Sequence, residues 1–224
     1  MILEKERIRR IIARRAALEF KDGDIVTLGI GLPTEVANYI PSNVHVMTQG
    51  ENGILGIGPV PPLASANPMI TNAGGALVTL NEGGCYFDSI TSFGMIRGGH
   101  VHATVLGALQ VDELGNLANW IVPGKMVSGM GGAMDLVVGA RRVIITMEHT
   151  AKGTPKILKR CTLPLTAVGE VDLIITEKCV MQVLPEAKGL LLTELSPLVT
   201  LDELRMNTEA DFIVSPDLKQ MNVD

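Results

Sequence analysis

Apolar side chains at helical spacing predict an amphipathic helix over residues 3–20, at the start of the chain. The positions on its apolar face are Ile8, Ile11, Ile12 and Ala16. Arginines lie largely on the other faces, among them Arg7, Arg10, Arg14 and Arg15. Because acidic residues are interleaved with these arginines, the pattern favours a solvated helix face over one that binds lipid or phosphate.

Short apolar runs bounded by glycine and proline predict buried strands between helices. We expect strands at residues 24–28, 44–48, 101–106, 142–147, 171–176 and 212–214. Helices are expected to begin near Pro33 and to span residues 88–96 and 200–207. This alternation predicts an α/β fold, with an open, mainly parallel sheet and flanking helices, in a single domain over residues 1–224.

The composition agrees with such a sheet and narrows the function. Hydrophobic residues make up 46% of the 224 residues and aromatic residues only 3%, so aliphatic side chains supply the core, as is typical of parallel strands. The net charge of −5 argues against a general nucleic-acid binder, which would carry a basic face.

Residues 52–81 form a run of 30 positions without a charged side chain. Prolines and glycines interrupt this run, so it does not predict a transmembrane helix. At the N-terminus, the charged residues 4–7 interrupt the apolar core that a signal peptide requires. We therefore expect a cytoplasmic protein.

The cysteines and histidines indicate neither a disulfide framework nor a metal site. Cys85, Cys161 and Cys179 are widely spaced, without a Cys-x-x-Cys pair, and are expected to be buried, reduced thiols. His100 and His102 would lie on one face of a strand, but no further cluster of acids or histidines completes a set of metal ligands. A polar or solvent-facing role is the better interpretation of this pair.

Glu51 is the candidate reactive residue, because it directly precedes the uncharged run and follows a predicted strand. Open parallel sheets bind ligands at that edge. Partial burial would strip water from the carboxylate and so make it a better nucleophile, although burial alone also raises a carboxyl pKa. Asn52 and Gly53 could supply donors that keep the group ionised. The alternative is an exposed Glu-Asn-Gly turn without chemistry.

Two glycine clusters could bring the backbone close to a ligand. Residues 29–33 follow a predicted strand, but Thr34 occupies the third glycine position of a dinucleotide-binding motif, and that interpretation fails. Residues 129–135 could present backbone amides as an oxyanion hole, or could form a tight turn that packs a helix against a strand. The sequence favours neither of these two interpretations.

Several segments, in order along nearly the whole chain, resemble the β subunit of 3-oxoacid CoA-transferases. They are Gly-Ile-Gly-Leu-Pro at 29–33, Glu-Asn-Gly at 51–53, Ile-Arg-Gly-Gly-His at 96–100, Ala-Asn-Trp at 118–120 with Pro-Gly-Lys at 123–125, Gly-Met-Gly-Gly-Ala-Met-Asp at 129–135, Met-Glu-His at 147–149 and Cys-Thr-Leu-Pro-Leu-Thr at 161–166. The pattern is similar to the β chain of bacterial acetate or butyrate:acetoacetate CoA-transferases and to the C-terminal half of succinyl-CoA:3-oxoacid CoA-transferase.

The resemblance implies an enzyme that moves CoA between a short-chain acyl-CoA and a carboxylic acid such as acetoacetate. It assigns Glu51 as the nucleophile, which forms an acyl anhydride and then a glutamyl-CoA thioester in a ping-pong cycle. It implies substrate-binding or CoA-binding roles for Gly31, Asn52, Gly53, Gly132 and Ala133. No ATP, metal or other cofactor is implied, because the cycle conserves the free energy of the thioester and CoA is itself a substrate.

The resemblance also implies a missing partner, since the other half of such an enzyme is a separate α subunit or an N-terminal domain. We therefore expect a heterodimer or heterotetramer. The mean hydropathy of +0.30 agrees with an apolar interface.

Two departures from the family pattern lie near the expected acyl site. Gly50 stands where the family usually has serine, and Thr27 stands where it often has asparagine. We expect both to affect the choice of carboxylic acid and to leave the chemistry intact. Two other functions remain open, an acyl-CoA hydrolase that uses the same glutamate and a non-catalytic ligand-binding domain on the same fold.

Overall fold

A sheet of ten strands forms the centre of the fold in this computed structural model, which describes residues 2–127, 129–184 and 189–223. The strands lie at Ile25–Leu28 (β1), Met47–Gly50 (β2), Ile54–Ile57 (β3), Leu80–Tyr86 (β4), Ala103–Leu106 (β5), Gln110–Asp112 (β6), Leu117–Ala118 (β7), Ile121–Val122 (β8), Met126–Val127 (β9), Val143–Thr146 (β10), Thr150–Ala151 (β11), Thr154–Pro155 (β12), Ile157–Leu158 (β13), Leu173–Ile175 (β14), Cys179–Val183 (β15), Leu190–Leu195 (β16) and Phe212–Gln220 (β17). The α-helices lie at Ile2–Ala17 (α1), Leu32–Glu35 (α2), Ser89–Arg97 (α3), Ala133–Gly139 (α4) and Leu201–Met206 (α5), and short 3-10 helices at Val36–Tyr39 and Leu63–Ser65.

The large sheet is parallel at its centre and antiparallel on both sides. Its order is β17-β16-β15-β14-β10-β5-β1-β2-β3-β4. All pairings from β14 to β2 are parallel, whereas β15 and β16 on one side and β3 and β4 on the other are added antiparallel. The edge strand β17 is again parallel to β16. The predicted α/β fold with a mainly parallel sheet and flanking helices is confirmed, but the antiparallel extensions were not predicted.

The predicted strand at residues 44–48 is the one whose position changes most. The strand β2 begins three residues later, at Met47, and ends at Gly50. Val44 and Val46 are partly buried and pack against the core without joining a strand. Apolar side chains can anchor a loop to a core as well as form a strand, and the sequence pattern does not separate these two cases.

The strands separate two hydrophobic cores because successive side chains point to opposite faces of the sheet. On one face, Ile144 packs in a cluster with Val105 and with the helix α1 residues Ile12 and Ala16. On the other face, Ile145 packs in a cluster with residues of α3, α4 and α5. Every residue of β5 and β10 is buried, as expected of central parallel strands covered on both faces.

Arg15 contradicts the prediction of a solvated arginine face on α1. Its Nε and Nη2 atoms donate to the two carboxylate oxygens of Glu194 at 2.7 Å and 2.6 Å, and its Nη1 donates to Glu19 at 2.6 Å. Arg142 adds a second ion pair to Glu19 at 2.6 Å. A buried arginine needs such partners, and this one ties α1 to β16. No sequence pattern indicated a pairing between residues so far apart in the chain.

His149 occupies a fully hydrogen-bonded site just past β10. Its Nε2 lies 2.9 Å from Thr208 Oγ1, and its Nδ1 lies 3.0 Å from Thr176 Oγ1. Thr208 donates its own hydroxyl proton to the carbonyl of Leu204 at 2.8 Å, so it accepts a proton from Nε2. Thr176 accepts the amide proton of Cys179 and donates to Nδ1. The site therefore fits a neutral imidazole.

Acid is expected to destabilise the protein through His149. Burial, and next the charges of Lys178 and Lys156, lower the pKa of His149 from 6.5 to about 3 in the folded chain. Since the folded pKa lies below the unfolded one, the stabilisation is present above pH 6.5 and is lost as the pH falls toward 3. Between pH 8 and pH 5 the loss is roughly 2 kcal/mol.

Urea unfolding of the wild type and of a His149→Gln variant at these two pH values measures the effect, at one protein concentration. Glutamine keeps a donor and an acceptor but does not titrate. The variant should therefore lose about 2 kcal/mol less than the wild type between the two pH values. Equal losses in both proteins would show that another group controls the acid sensitivity.

The cysteines are free, but they are not all buried as predicted. Cys179 is buried, Cys161 is partly buried and Cys85 is exposed on β4. Burial raises the pKa of both Cys161 and Cys179 to about 12, so these two thiols stay protonated near neutral pH. Across the described part of the chain, no helix combines the length and the apolar character that a membrane crossing requires. A cytoplasmic location and a single domain stay predictions.

Candidate active site

Glu51 lies at the carboxyl edge of the sheet, in the turn that begins as β2 ends at Gly50. Within the parallel strands, the chain passes from β1 to β2 on one side and returns to β5 on the other side of β1. The crevice at such a reversal of strand order is where open α/β sheets bind ligands. Glu51 therefore lies next to the expected ligand crevice, past a strand end as the sequence predicted.

The carboxylate of Glu51 meets the backbone of Gly132, just before α4. The amide nitrogen of Gly132 donates to Glu51 Oε1 at 3.1 Å. A hydrogen bond from a backbone amide to an ionised acceptor is stronger than one between neutral groups. Glu51 is partly buried, so it can keep this partner and still face a substrate.

Glycines at positions 131 and 132 allow this close approach. A Cβ atom on Gly132 would lie 2.4 Å from Glu51 Oε2 and 3.1 Å from Phe93 Cε1. A Cβ atom on Gly131 would lie 3.1 Å from Glu51 Oε1, and the φ angle of +53° at Gly131 is one that other residues rarely adopt. Of the two interpretations of residues 129–135, the geometry favours amides presented to the reactive site.

Asn52 and Gly53 shape the turn, and the donor to Glu51 comes from elsewhere. The Asn52 side chain donates Nδ2 to the carbonyl of Thr71 at 2.7 Å. Gly53 donates its amide to the carbonyl of Gly50 at 3.0 Å, and a Cβ on Gly53 would lie 2.1 Å from the carbonyl oxygen of Phe87. The expectation that these two residues supply donors to Glu51 is corrected, because Gly132 is the donor. Their contact with a substrate stays a prediction.

Gly50 leaves room for the side chain of Asn52. A Cβ atom on Gly50 would lie 2.7 Å from Asn52 Oδ1 and 3.1 Å from Ile57 Cδ1. A serine at this position would therefore displace Asn52 from its bond to the segment around Thr71. The departure from the family pattern has a local packing reason, while its expected effect on the choice of acid stays a prediction.

A chain of buried polar side chains lies beneath Glu51, and sequence reasoning missed most of it. Thr27 Oγ1 donates to Gln49 Oε1 at 2.8 Å, and Gln49 Nε2 donates to Ser92 Oγ at 2.7 Å. Ser92 Oγ in turn donates to the carbonyl of Gly50 at 3.3 Å. The signal that could have found this chain is the presence of polar residues inside two strands that are otherwise buried.

The remaining predicted site residues lie near this edge. Gly31 is exposed after β1 with a φ angle of 88°, and it precedes α2. Ala133 is buried in the first turn of α4, where its amide donates to the carbonyl of Met130 at 3.1 Å. Their roles toward CoA stay predictions.

The paired histidines show no sign of metal ligation. His102 Nδ1 accepts the amide proton of Ile25 at 2.9 Å, so this nitrogen is engaged with the backbone. Among residues 2–127, 129–184 and 189–223, no group of three or more histidines, cysteines or acids could hold a metal ion. A reaction without a metal stays a prediction.

The uncharged segment is largely exposed at its apolar positions. Leu63 is 88% exposed and Met69 is 87% exposed, and Ile30, after β1, is 74% exposed. Residue 74 approaches Ile30, since a Cβ built on Gly74 would lie 3.3 Å from Ile30 Cγ1. The uncharged residues therefore do not enclose Glu51 within this chain.

Comparison with known proteins agrees with this fold and edge. Residues 9–207 match the family described as Coenzyme A transferase. The chain therefore belongs to the coenzyme A transferase family, and the predicted transferase is confirmed. It is 56% identical to acetate CoA-transferase subunit beta of Haemophilus influenzae, over 96% of both chains. It is 54% identical to succinyl-CoA:3-ketoacid coenzyme A transferase 2A, mitochondrial, of Rattus norvegicus, over 94% of this chain and 41% of that one.

Solved structures share the fold at low sequence identity. An acyl-CoA transferase of Escherichia coli O157:H7, YdiF, superposes with a TM-score of 0.77 at 22% identity, over 96% of this chain and 43% of that one. The decarboxylase AibA/AibB superposes with a TM-score of 0.75 at 18% identity, over 96% of this chain and 89% of that one. Because a decarboxylase shares the fold, the fold alone does not fix the reaction.

Proposed function

We propose that this chain transfers CoA between a short-chain acyl-CoA and a carboxylic acid such as acetoacetate, with Glu51 as the covalent carrier. The observation that supports this role most directly is the hydrogen bond of 3.1 Å from the Gly132 amide to the Glu51 carboxylate at the ligand-binding edge of the sheet. The names of relatives that act on acetate and on 3-ketoacids support the substrate class.

The cycle begins when a carboxylate oxygen of Glu51 attacks the carbonyl carbon of the acyl-CoA. The C–S bond breaks, CoA leaves as its thiolate, and an acyl-glutamyl anhydride forms. The thiolate then attacks the glutamyl carbon, which releases the first acid and leaves a glutamyl-CoA thioester. The second acid attacks this thioester, and the reverse steps deliver a new acyl-CoA and the free Glu51 carboxylate. The cycle uses no metal or other cofactor.

The Gly132 amide would act on the carboxyl group that is exchanged. In both attacks on the glutamyl carbon, negative charge develops on an oxygen of the glutamyl group. A backbone donor fixed near that oxygen stabilises such charge without reorganising. Because the donor belongs to a glycine held against Phe93, it also restricts where the Glu51 side chain can move.

An α subunit is the partner that we propose to complete the site. Relatives that match the full length of this chain are named as β subunits. Large apolar side chains next to the site are exposed in the chain alone, with Ile30 at 74%, Ile90 at 84% and Met134 at 47%. Ile90 lies two residues before Ser92, and Met134 two residues after Gly132. Apolar residues exposed around a reactive group indicate a surface that a partner covers.

The partner would also protect the intermediates. Both the anhydride and the glutamyl thioester react with water, and the uncharged segment does not enclose Glu51 by itself. A covering subunit excludes water from such a site. The second candidate function, acyl-CoA hydrolysis through the same glutamate, would follow if the assembled site admits water. A non-catalytic binding domain would form no covalent product at all.

Mixing the complex of this chain and its α subunit with acetoacetyl-CoA should attach CoA to Glu51. The expected product is a peptide containing Glu51 that carries the mass of CoA less water and that hydroxylamine cleaves. Addition of a second short acid should remove the adduct and yield a new acyl-CoA. The chain purified without its partner serves as the control, and we expect no adduct on it.

Mass spectrometry of the trapped peptide, with chromatography of the acyl-CoA products, checks both steps. Free acid and free CoA released without an acceptor acid would identify a hydrolase. Exchange of CoA between acids with no adduct at any time would contradict the covalent role of Glu51.

A further inference from the structure

Three buried polar side chains connect the inside of the sheet to the peptide that carries Glu51. Thr27 on β1 is 4% exposed, Gln49 on β2 is 2% exposed and Ser92 on α3 is fully buried. Buried polar groups are costly unless each has a hydrogen-bond partner, and here each one has. Their arrangement needs a reason beyond core packing, since apolar side chains would fill the same space more simply.

The hydrogen bonds of this chain run in one direction. The Thr27 hydroxyl donates to Gln49 Oε1, which leaves the Gln49 amide NH₂ to donate to Ser92. Ser92 then has its own proton for the carbonyl of Gly50. Each donor thus fixes the orientation of the next group, and the Thr27 hydroxyl sets the orientation of the Gln49 carboxamide.

The last acceptor in the chain is part of the peptide unit that enters Glu51. The carbonyl of Gly50 and the amide of Glu51 lie in one planar group, so fixing the carbonyl fixes that plane. The same carbonyl also accepts the amide of Gly53 at 3.0 Å. Two donors, one from the turn and one from the buried chain, therefore determine the direction in which the Glu51 side chain leaves the backbone.

The helix α3 links this support to the donor on the other side of Glu51. Ser92 reaches the carbonyl of Gly50, while the next residue, Phe93, lies against Gly132. Arg97 on the same helix donates Nε to Asp135 of α4 at 2.6 Å. One rigid helix thus relates the peptide before Glu51 to the amide that binds its carboxylate.

We infer that Thr27, Gln49 and Ser92 are positioning residues, which hold the Gly50–Glu51 peptide so that the Glu51 carboxylate meets the Gly132 amide. This inference rests on the proposed function. The glutamyl group must be attacked twice in each half of the cycle, so a misplaced peptide affects the covalent steps more than the binding of substrate. Thr27 lies under Gln49 and can affect the choice of acid only through these neighbours.

Removing either end of the chain should lower kcat and leave KM nearly unchanged. We expect Thr27→Val and Ser92→Ala, each in complex with the α subunit, to lower kcat and the single-turnover rate of adduct formation about tenfold to a hundredfold. KM should change by less than about twofold. The conservative variant Thr27→Ser keeps the hydroxyl and should recover most of the rate.

Thr104→Val provides a matched control from the neighbouring strand. Thr104 pairs in register with Thr27, is equally buried, and has a hydroxyl oxygen without a partner among the described residues. We expect no loss of rate from this variant. Because Ser92→Ala acts at the other end of the chain, it tests the inference even where Thr27→Val fails to fold.

The outcomes separate this inference from the proposed function. A wild-type complex that never forms the Glu51 adduct would overturn both. A wild type that forms the adduct no faster than Thr27→Val and Ser92→Ala would overturn only the positioning role. Lower melting temperatures with unchanged rates per folded site would likewise show that these residues act on stability alone.

Discussion

Replacing Glu51 with glutamine is expected to reduce the rate of CoA transfer by at least about ten-thousandfold. The amide has nearly the same shape and can accept the Gly132 hydrogen bond, but its oxygen is a far weaker nucleophile than a carboxylate oxygen. No acyl-glutamyl anhydride would form, and the later steps would have no carrier. The change therefore removes the chemistry and leaves the fold and the interface unchanged.

Transfer assays and adduct trapping on the assembled complex would measure this loss. Glu82→Gln is a suitable control, because Glu82 is an exposed glutamate on β4 that closes the same uncharged run. The control should transfer CoA at the wild-type rate. Mass spectrometry must also exclude deamidation of the glutamine back to glutamate. A fully assembled, undeamidated Glu51→Gln enzyme with wild-type turnover would disprove the covalent role of Glu51.

The Gly132→Ala variant is expected to lose roughly a hundredfold to a thousandfold in kcat. The added Cβ would fall 2.4 Å from Glu51 Oε2 and 2.9 Å from Cδ, which is inside the contact distance of these atoms. Either the carboxylate or the loop before α4 must move. In both cases the hydrogen bond from the Gly132 amide to the carboxylate is broken, and the charge loses its donor.

Gly94→Ala is the matched control for this substitution. Gly94 lies inside α3, and nothing lies within 4 Å of the Cβ that alanine would add. An alanine inside a helix is favoured over glycine by roughly 0.5–1 kcal/mol, so this variant should be fully active and slightly more stable. Parallel measurement of kcat and of thermal unfolding would separate the two variants. Equal activity of Gly132→Ala and Gly94→Ala would contradict a role for the close approach at Gly132.

Much of the fold followed from local patterns in the sequence. The aliphatic runs that became β5, β10 and β14 were identified because buried parallel strands carry apolar side chains on both faces. The helix α5 was identified because Thr200 and Glu203 form a capping box, which depends only on residues three apart. The antiparallel strands β3, β4, β15 and β16 were missed, since their pairing depends on distant partners and their short runs resemble loops.

The candidate site was found in part for the same reasons. Glu51 and the glycines of residues 129–135 were each chosen from local features, namely a strand end, an uncharged run and a cluster of glycines. The donors expected from Asn52 were assigned wrongly because a side chain next in sequence can point away from its neighbour. Its amide instead binds Thr71, across a loop that local patterns do not position.

The sequence alone determined the class of fold, the family and the residue placed at the strand end, because helical periods, aliphatic runs and short motifs are local properties. Only the tertiary structure decided which groups surround that residue. Glu51 and Gly132 are separated by 81 positions, and Thr27 and Ser92 reach the same peptide from β1 and from α3. Such contacts depend on the order of strands in the sheet and on how helices pack across it, which no local pattern specifies.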